Sequence, residues 1–255
     1  MAPTMNFVFP KDFRPANERV ERLLAGCAHY AKSDRPLFIS AYNELCREDL
    51  TGGAIVEICC GLGELAREVA RAFPKAQVVA MDRYPEAGRA LREAAAREGL
   101  ANARFECGDA LRLTQFGDAS VDLLYGQATL HHLAHDTGAL SREYARVLKP
   151  GGRLLFIFEP LGHNPVWSMV RAYRVSRGGL PDESNVFLPQ LEEIAGHFRA
   201  CEVQLFNLFG YVFKGLGRLA GPSLVNLIYR LDGALMKGRP RLARLAANFN
   251  VVFTK

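Results

Sequence analysis

The chain has 255 residues, of which 49% are hydrophobic, and 32 basic residues against 27 acidic ones leave a net charge of +5. This length and composition suffice for one globular domain with a substantial core. Most of the charge lies in mixed-sign segments such as REVARAF, which argues against the basic groove of a nucleic-acid-binding protein.

The first part of the chain is predicted to be helical, and a regular alternation follows it. Residues 14–50 carry apolar positions at intervals of three and four, as amphipathic helices do. Between residues 54 and 160, five apolar segments predict strands: AIVEICC, AQVVAMD, ARFECGDA, VDLLYGQ and RLLFIFEP. Helical segments separate them, and Gly99 is expected to end the second of these helices.

This alternation predicts an α/β fold with a doubly wound, mostly parallel sheet that is covered by helices on both faces. After Pro160, turn-rich residues 160–188 predict an insertion over the site, and residues 210–245 predict one or two apolar helices. We therefore predict a single domain over residues 1–255. Its parts are a helical lid (1–50), a cofactor-binding core (51–160), and substrate-capping insertions with the last strands (161–255).

The segment VEICCGLGELA predicts a nucleotide-binding turn. Gly61, Gly63 and Ala66 fit the G-x-G-x-x-G/A pattern, and Asp82 ends the next strand, where a carboxylate can bind ribose hydroxyls. A nicotinamide-dependent oxidoreductase would share both features. Glu57, just before the turn, favours a ligand with a cationic amino group, because a pyrophosphate would repel it.

The order of five motifs distinguishes the two ligands. EICCGLG, MD, GDA, LHHL and RVLKPGGRLLF occur at intervals that resemble the class I S-adenosylmethionine-dependent methyltransferases, in the branch acting largely on small molecules. The resemblance covers roughly residues 50–160. It implies a Rossmann-like, seven-stranded sheet of order 3-2-1-4-5-7-6, with NFNVVFTK as an antiparallel strand. One departure is Cys59, which stands where this family often has glycine.

The resemblance also implies S-adenosylmethionine as the cofactor and eight residues that contact it: Glu57, Gly61, Gly63, Asp82, Arg83, Asp109, Ala110 and Gln127. The first three would hold the methionine end of the cofactor. The next two would meet the ribose and the adenine, and Asp109 and Ala110 would meet the adenine amino group and ring edge. Gln127 would line the pocket after the fourth strand.

Methyl transfer from a sulfonium is an in-line displacement, so the main task of the enzyme is alignment. A general base helps when the acceptor is a hydroxyl or an acidic carbon. The candidate bases are His131, His132, Glu159 and His163, of which we select the last three. Tyr30 is a candidate lid residue. No cluster with metal-ligand spacing is evident, so no metal is predicted.

The apolar residues between 206 and 219 favour a flat aromatic or lipid-like acceptor, and the sequence leaves open whether oxygen, nitrogen or carbon is methylated. Two other functions stay open: a nicotinamide-dependent oxidoreductase and a non-catalytic partner protein that binds an adenosyl ligand. We expect a small-molecule substrate and no nucleic-acid partner, and the sequence leaves a homodimer open.

A cytoplasmic location is predicted from the six cysteines, which lack C-x-x-C spacing, and from the absence of an evident export signal. Charged residues interrupt the apolar C-terminal region, so stable membrane insertion is not expected. The run KGRPRLARL is the local exception to the mixed charge pattern. It could contact an acidic ligand or an anionic surface, or form a solvated face beside an apolar helix.

Overall fold

The structure is a computed structural model that describes residues 4–27, 34–178, 184–209 and 221–255. Its strands are β1 (Met5–Val8), β2 (Ala54–Ile58), β3 (Gln77–Asp82), β4 (Ala103–Cys107), β5 (Val121–Gln127), β6 (Leu148–Pro160), β7 (Ala200–Phe206) and β8 (Asn248–Thr254). The helices of the described ranges are α1 (Glu18–Gly26), α2 (Arg35–Leu45), α3 (Glu64–Ala72), α4 (Pro85–Glu98), α5 (Leu130–Leu133), α6 (Thr137–Val147), α7 (Pro165–Ser176), α8 (Leu188–Ala195), α9 (Pro222–Met236) and α10 (Pro240–Ala243).

All eight strands form one sheet in the order β1-β7-β8-β6-β5-β2-β3-β4. The strands from β2 to β8 reproduce the predicted order 3-2-1-4-5-7-6, and β8 runs antiparallel to both of its neighbours, as expected. The prediction of seven strands is wrong by one. Residues 5–8, inside the region predicted as a helical lid, pair in parallel with residues 201–204 of β7. This strand was missed because four residues are too few to show a periodicity.

Both faces of the sheet are buried, which confirms the doubly wound arrangement. In β2, Val56 and Ile58 belong to a core cluster with α6 and α8, whereas Ile55 belongs to a cluster with α1, α2 and α3. Successive strand residues point to opposite faces, so an unbroken apolar strand requires helices on both sides.

The helix ends follow from local chemistry. The side chain of Asn17 accepts a hydrogen bond from Val20 N at the start of α1, and that of Asp136 accepts one from Ala139 N at the start of α6. Gly99 follows α4 in the left-handed conformation, with φ +67°, which confirms the predicted helix end.

Among the described residues, no helix has both the length and the apolar composition that crossing a bilayer requires.

Left-handed backbone conformations are concentrated at one edge of the sheet. Among the described residues other than glycine, four with positive φ lie at the carboxyl ends of β2, β5, β6 and β7: Cys59, Ala128, Phe158 and Asn207. Phe158 lies in an irregular stretch of the β6–β8 pairing. Each such residue costs on the order of 1–3 kcal/mol, and such strain is found where strands present ligands. This edge is where an open α/β sheet binds its ligands.

Cys59 has φ +51°, so it occupies the conformation for which related sequences often use glycine. We expect Cys59→Gly to be more stable than Cys59→Ala by about 1 kcal/mol in urea unfolding, because only glycine avoids the Cβ strain. Cys60, which is not among the left-handed residues, provides the matched control. At that position alanine should be more stable than glycine, and the same order at both positions would contradict the strain argument.

Candidate active site

The turn after β2 contains two glycines in the left-handed conformation. Gly61 and Gly63 have φ values of +53° and +70°, and Gly63 is the N-cap residue that precedes α3. A Cβ added at Gly63 would lie 2.2 Å from Leu91 Cδ1 of α4. A Cβ at Gly61 would meet no atom within 4 Å, so the backbone there faces open space that a ligand can approach.

Asp82 connects this turn to the end of β3. Its Oδ2 accepts a hydrogen bond from Gly61 N at 2.9 Å, and its Oδ1 accepts one from Tyr84 N at 3.1 Å. A carboxylate has about four acceptor positions. Asp82 therefore keeps capacity for ligand hydroxyls while it fixes the glycine turn.

Glu57 is a buried carboxyl group one residue before the end of β2. Burial raises its pKa to about 8, although the Tyr125 hydroxyl, which donates to Oε2 at 3.4 Å, and the Ala66 backbone N–H oppose that rise. The neighbouring charge of Asp82 raises the pKa further. A ligand that brings an ammonium group would supply a positive charge beside this buried carboxyl.

The end of β4 lies beside the end of β3, because Gly108 N donates to Asp82 O at 3.0 Å. Asp109 follows and is exposed, with its Oδ1 accepting from Leu111 N at 2.9 Å, and Ala110 is buried. Arg83 is exposed, and its guanidinium lies 5.7 Å from the centre of the Tyr84 ring. The structure thus brings the predicted adenine-side residues to the same edge.

Gln127 ends β5 and accepts a hydrogen bond at Oε1 from the Tyr42 hydroxyl at 3.1 Å. Tyr42 lies on α2 and is buried, so the N-terminal region contributes to this edge. Sequence reasoning missed Tyr42, and its position among the apolar residues of a helix gives no signal for it. The predicted lid residue Tyr30 lies outside the described residues.

Glu159 is fully buried near the end of β6, where it binds the start of α5. Its Oε1 accepts hydrogen bonds from Thr129 N at 2.6 Å and Leu130 N at 2.8 Å. Its Oε2 accepts from His131 N at 3.2 Å and lies 2.8 Å from His131 Nδ1. Both carboxylate oxygens of Glu159 thus hold the start of α5 and its histidine.

The two adjacent histidines have different surroundings. His131 is buried, is held by Glu159, and lines a cavity that is described below. The ring of His132 is half-buried and lies 4.1 Å from that of His131, centre to centre. His132, which we selected from the sequence, is therefore not the histidine that faces the cavity.

His163 fixes the start of α8. Its Nε2 accepts a hydrogen bond from Leu188 N at 3.0 Å, and its ring packs edge-on against Phe187. Burial, with a smaller contribution from the charge of Arg244, lowers the pKa of His163. A neutral ring that accepts a backbone hydrogen bond is a turn-fixing residue, so the structure gives no support to His163 as a base.

A cavity of about 550 Å³ opens at the carboxyl edge of the sheet. Ala128, which directly follows Gln127, is one of its lining residues. The end of β6, the start of β8 and α7 form its other walls. Its lining combines aromatic, basic and amide side chains, among them His131, Phe158, Trp167, Arg171, Arg177, Asn185 and Asn248. We call this space the acceptor cavity.

Comparisons with known proteins agree with this arrangement. Residues 55–152 match the family described as "Methyltransferase domain". The trans-aconitate 2-methyltransferase of Deinococcus radiodurans is 34% identical over 197 residues, which cover 71% of this chain and 72% of the relative. A ubiquinone biosynthesis O-methyltransferase of Xanthomonas oryzae pv. oryzae is 30% identical over 195 residues, which cover 71% of this chain and 77% of the relative.

A solved structure shows the same fold. Phosphoethanolamine N-methyltransferase 2 of Haemonchus contortus, in complex with S-adenosyl-L-methionine, superposes with a TM-score of 0.61 and 22% identity, over 85% of this chain and 51% of that chain. The fold and the edge described above define a Rossmann-like methyltransferase. The chain belongs to the S-adenosylmethionine-dependent methyltransferases, and S-adenosylmethionine is its cofactor. The oxidoreductase and non-catalytic alternatives are therefore set aside.

The residues of this chain fit that cofactor. The open space at Gly61 admits a ligand against the backbone, and among the causes that act on the buried carboxyl of Glu57 within the described chain there is no cation, which an amino group can supply. The thiol of Cys59, at the departure from the glycine pattern, has its pKa raised to about 12 by burial. It is therefore a neutral packing group at neutral pH and not a nucleophile.

Proposed function

We propose that this enzyme transfers the methyl group to an oxygen, nitrogen or carbon of a small aromatic or apolar metabolite bound in the acceptor cavity. The observation that carries the proposal is the position of this cavity. Its lining residue Ala128 directly follows Gln127 in the chain. An acceptor in the cavity would therefore lie next to the cofactor-binding residues at the carboxyl edge of the sheet. The cofactor supplies an electrophilic methyl group, and the residues of the chain supply alignment.

The composition of the cavity favours a metabolite with a flat apolar body and a polar end. Phe158 and Trp167 offer aromatic surface, while Asn185 and Asn248 offer hydrogen bonds. A volume of about 550 Å³ lies in the range of small-molecule sites. One relative is named for trans-aconitate and the other for ubiquinone biosynthesis, so neither name identifies the acceptor of this chain.

We assign the cofactor contacts from the same edge. Asp82 would bind the ribose hydroxyls, and Glu57 with the turn at Gly61 and Gly63 would hold the amino acid end. Asp109, Ala110 and Arg83 would border the adenine, and Gln127, oriented by Tyr42, would line the pocket. Parts of residues 1–50, 51–160 and 161–255 all contribute, which supports their action as one catalytic unit.

For an acceptor that must lose a proton, we assign the general base to His131. Its Nδ1 faces the buried carboxylate of Glu159 at 2.8 Å, which favours a proton on Nδ1 and leaves Nε2 to accept one from the acceptor. Glu159 then acts as a positioning residue, since it orients the ring. His132 and His163 are not given a catalytic role in this proposal.

We expect His131→Gln to lower kcat at least 100-fold with an acidic acceptor, because the proton-accepting nitrogen is lost. His132→Gln is the matched control on the same short helix and should lose less than about threefold. Both variants should bind S-adenosylhomocysteine as the wild type does in calorimetry. Equal losses in the two variants, or full activity of His131→Gln with a hydroxyl acceptor, would refute the assignment.

The acceptor class is tested by screening phenols, heteroaromatic acids, unsaturated carboxylic acids and fatty acids for release of S-adenosylhomocysteine. We expect turnover with at least one apolar or aromatic compound. Crystals with that compound and S-adenosylhomocysteine should show it between Trp167 and Phe158. Turnover confined to a polymeric substrate, or a compound bound away from the cavity, would overturn the proposal.

A further inference from the structure

Helix α9 presents an apolar stripe to the outside of the protein. Leu224, Leu227, Leu231 and Leu235 recur at intervals of three and four and are 41–54% exposed. A different face of α9 is buried, where Val225, Tyr229, Asp232 and Met236 pack inward. The stripe is therefore a second apolar face on a helix whose first apolar face is already packed, and packing among the residues that the structure describes does not account for it.

The chain segment that contains this stripe is strongly basic. Residues 203–255 contain eight basic residues and one acidic residue, so their net charge of +7 exceeds the +5 of the whole chain. The acidic residue is Asp232, which is buried and accepts hydrogen bonds from Phe209 N. Lys237, Arg241 and Arg244 are exposed just after α9. No acidic side chain of this segment is therefore available to neutralise them at the surface.

We propose that the leucine stripe of α9 and the basic residues 237–244 form a docking surface for an anionic lipid bilayer. An amphipathic helix that lies in the interface inserts its apolar side chains below the headgroups while neighbouring Lys and Arg contact the lipid phosphates. This uses both features of the surface at once, and it involves no segment that crosses the bilayer.

A second copy of the chain fits the surface less well. A twofold interface places the same patch on both subunits, so the basic residues of one copy would face those of the other with no carboxylate of this segment between them. Like charges placed together oppose association. A bilayer that contains acidic lipids supplies the opposite charge and an apolar layer together.

The position of the surface links it to the acceptor cavity. The side chain of Asn164, next to the start of α7, donates to Leu245 O at 2.8 Å, and Ala247 and Asn248 line the cavity. The basic residues 237–244 are thus followed within a few positions by residues that line the cavity. The cavity of a docked enzyme would therefore lie close to the bilayer. Docking itself does not depend on the proposed acceptor and can be measured without one.

The test is partition of the full chain to vesicles of phosphatidylcholine alone and of phosphatidylcholine with about one third phosphatidylglycerol. We expect binding to the anionic vesicles only, weakening with added salt. Lys237→Gln with Arg241→Gln should lower the partition coefficient about 25-fold, at roughly fivefold for each basic residue. Leu227→Gln with Leu231→Gln should lower it at least about tenfold.

The matched control is Arg92→Gln with Arg97→Gln on the exposed side of α4, which should partition within about twofold of the wild type. All variants should bind S-adenosylhomocysteine with wild-type affinity, which reports a folded core. Equal binding to both kinds of vesicle, or an equal loss in the α4 control, would overturn the proposal. So would a dimer in light scattering that the Leu227 and Leu231 substitutions dissociate.

Discussion

Glu159→Gln is expected to lower the free energy of unfolding by about 3 kcal/mol, the range found when one partner of a buried ionic contact is removed. The carboxylate is fully buried and faces four donors, with two at each oxygen. The amide oxygen of Gln can replace only one of the two carboxylate oxygens. Its NH₂ group would take the place of the other oxygen and would face two donors. Urea unfolding measures the loss.

The matched control for this prediction is Glu192→Gln on the exposed side of α8, which should change stability by less than about 0.5 kcal/mol. The active site supplies a second readout. If His131 is the base and Glu159 positions it, kcat of the folded variant with an acidic acceptor should fall as well. A variant as stable as the wild type would show that the contacts of Glu159 are not needed to hold α5.

Glu57→Gln is expected to have opposite effects on the empty and the occupied protein. It should weaken cofactor binding roughly 10- to 100-fold, because a charge-assisted hydrogen bond to the amino end is lost. It should also make the empty protein more stable above pH 8, because a carboxylate whose charged form is destabilised by burial is removed. Calorimetric titration and urea unfolding separate the two effects.

The pH dependence has a defined sign. Burial raises the pKa of Glu57 to about 8, against about 4.5 in the unfolded chain, so the folded protein binds the extra proton between these values. Stability of the empty wild type should therefore fall as pH rises from about 4.5 to 8, and the penalty levels off above that. This contribution to the slope should be absent in Glu57→Gln and kept in Glu93→Gln, an exposed control on α4. Identical slopes in all three proteins would contradict the assignment.

The sheet could be predicted from the sequence because its strands carry strong local signals. Unbroken apolar segments such as AIVEICC and RLLFIFEP indicate burial on both faces, and glycines at residues 61, 63 and 99 mark the turns. The strand-end carboxylates Glu57, Asp82 and Asp109 could be placed at one edge because parallel strands present their carboxyl ends together. The resemblance to known methyltransferases supplied the order of the strands.

The general base could not be assigned in the same way, because the side chains of neighbouring residues in a sequence point in different directions. The sequence does not distinguish His131 from His132. The two differ in the contact that His131 makes with Glu159, 28 positions away. Strand β1 was missed for a related reason, since its partner lies almost two hundred positions along the chain. The leucine stripe of α9 could be seen as apolar periodicity, but the sequence could not show which of its faces is exposed.

The pairing of β1 with β7 also has a consequence for synthesis. Met5 pairs with Cys201, so the first strand leaves the ribosome long before the strand that it will pair with exists. At roughly 5–20 residues per second, that interval is on the order of 10–40 s. The β1 segment of a nascent chain therefore stays unpaired for most of translation. A bulky tag fused before β1 would hinder the pairing of this edge strand with β7.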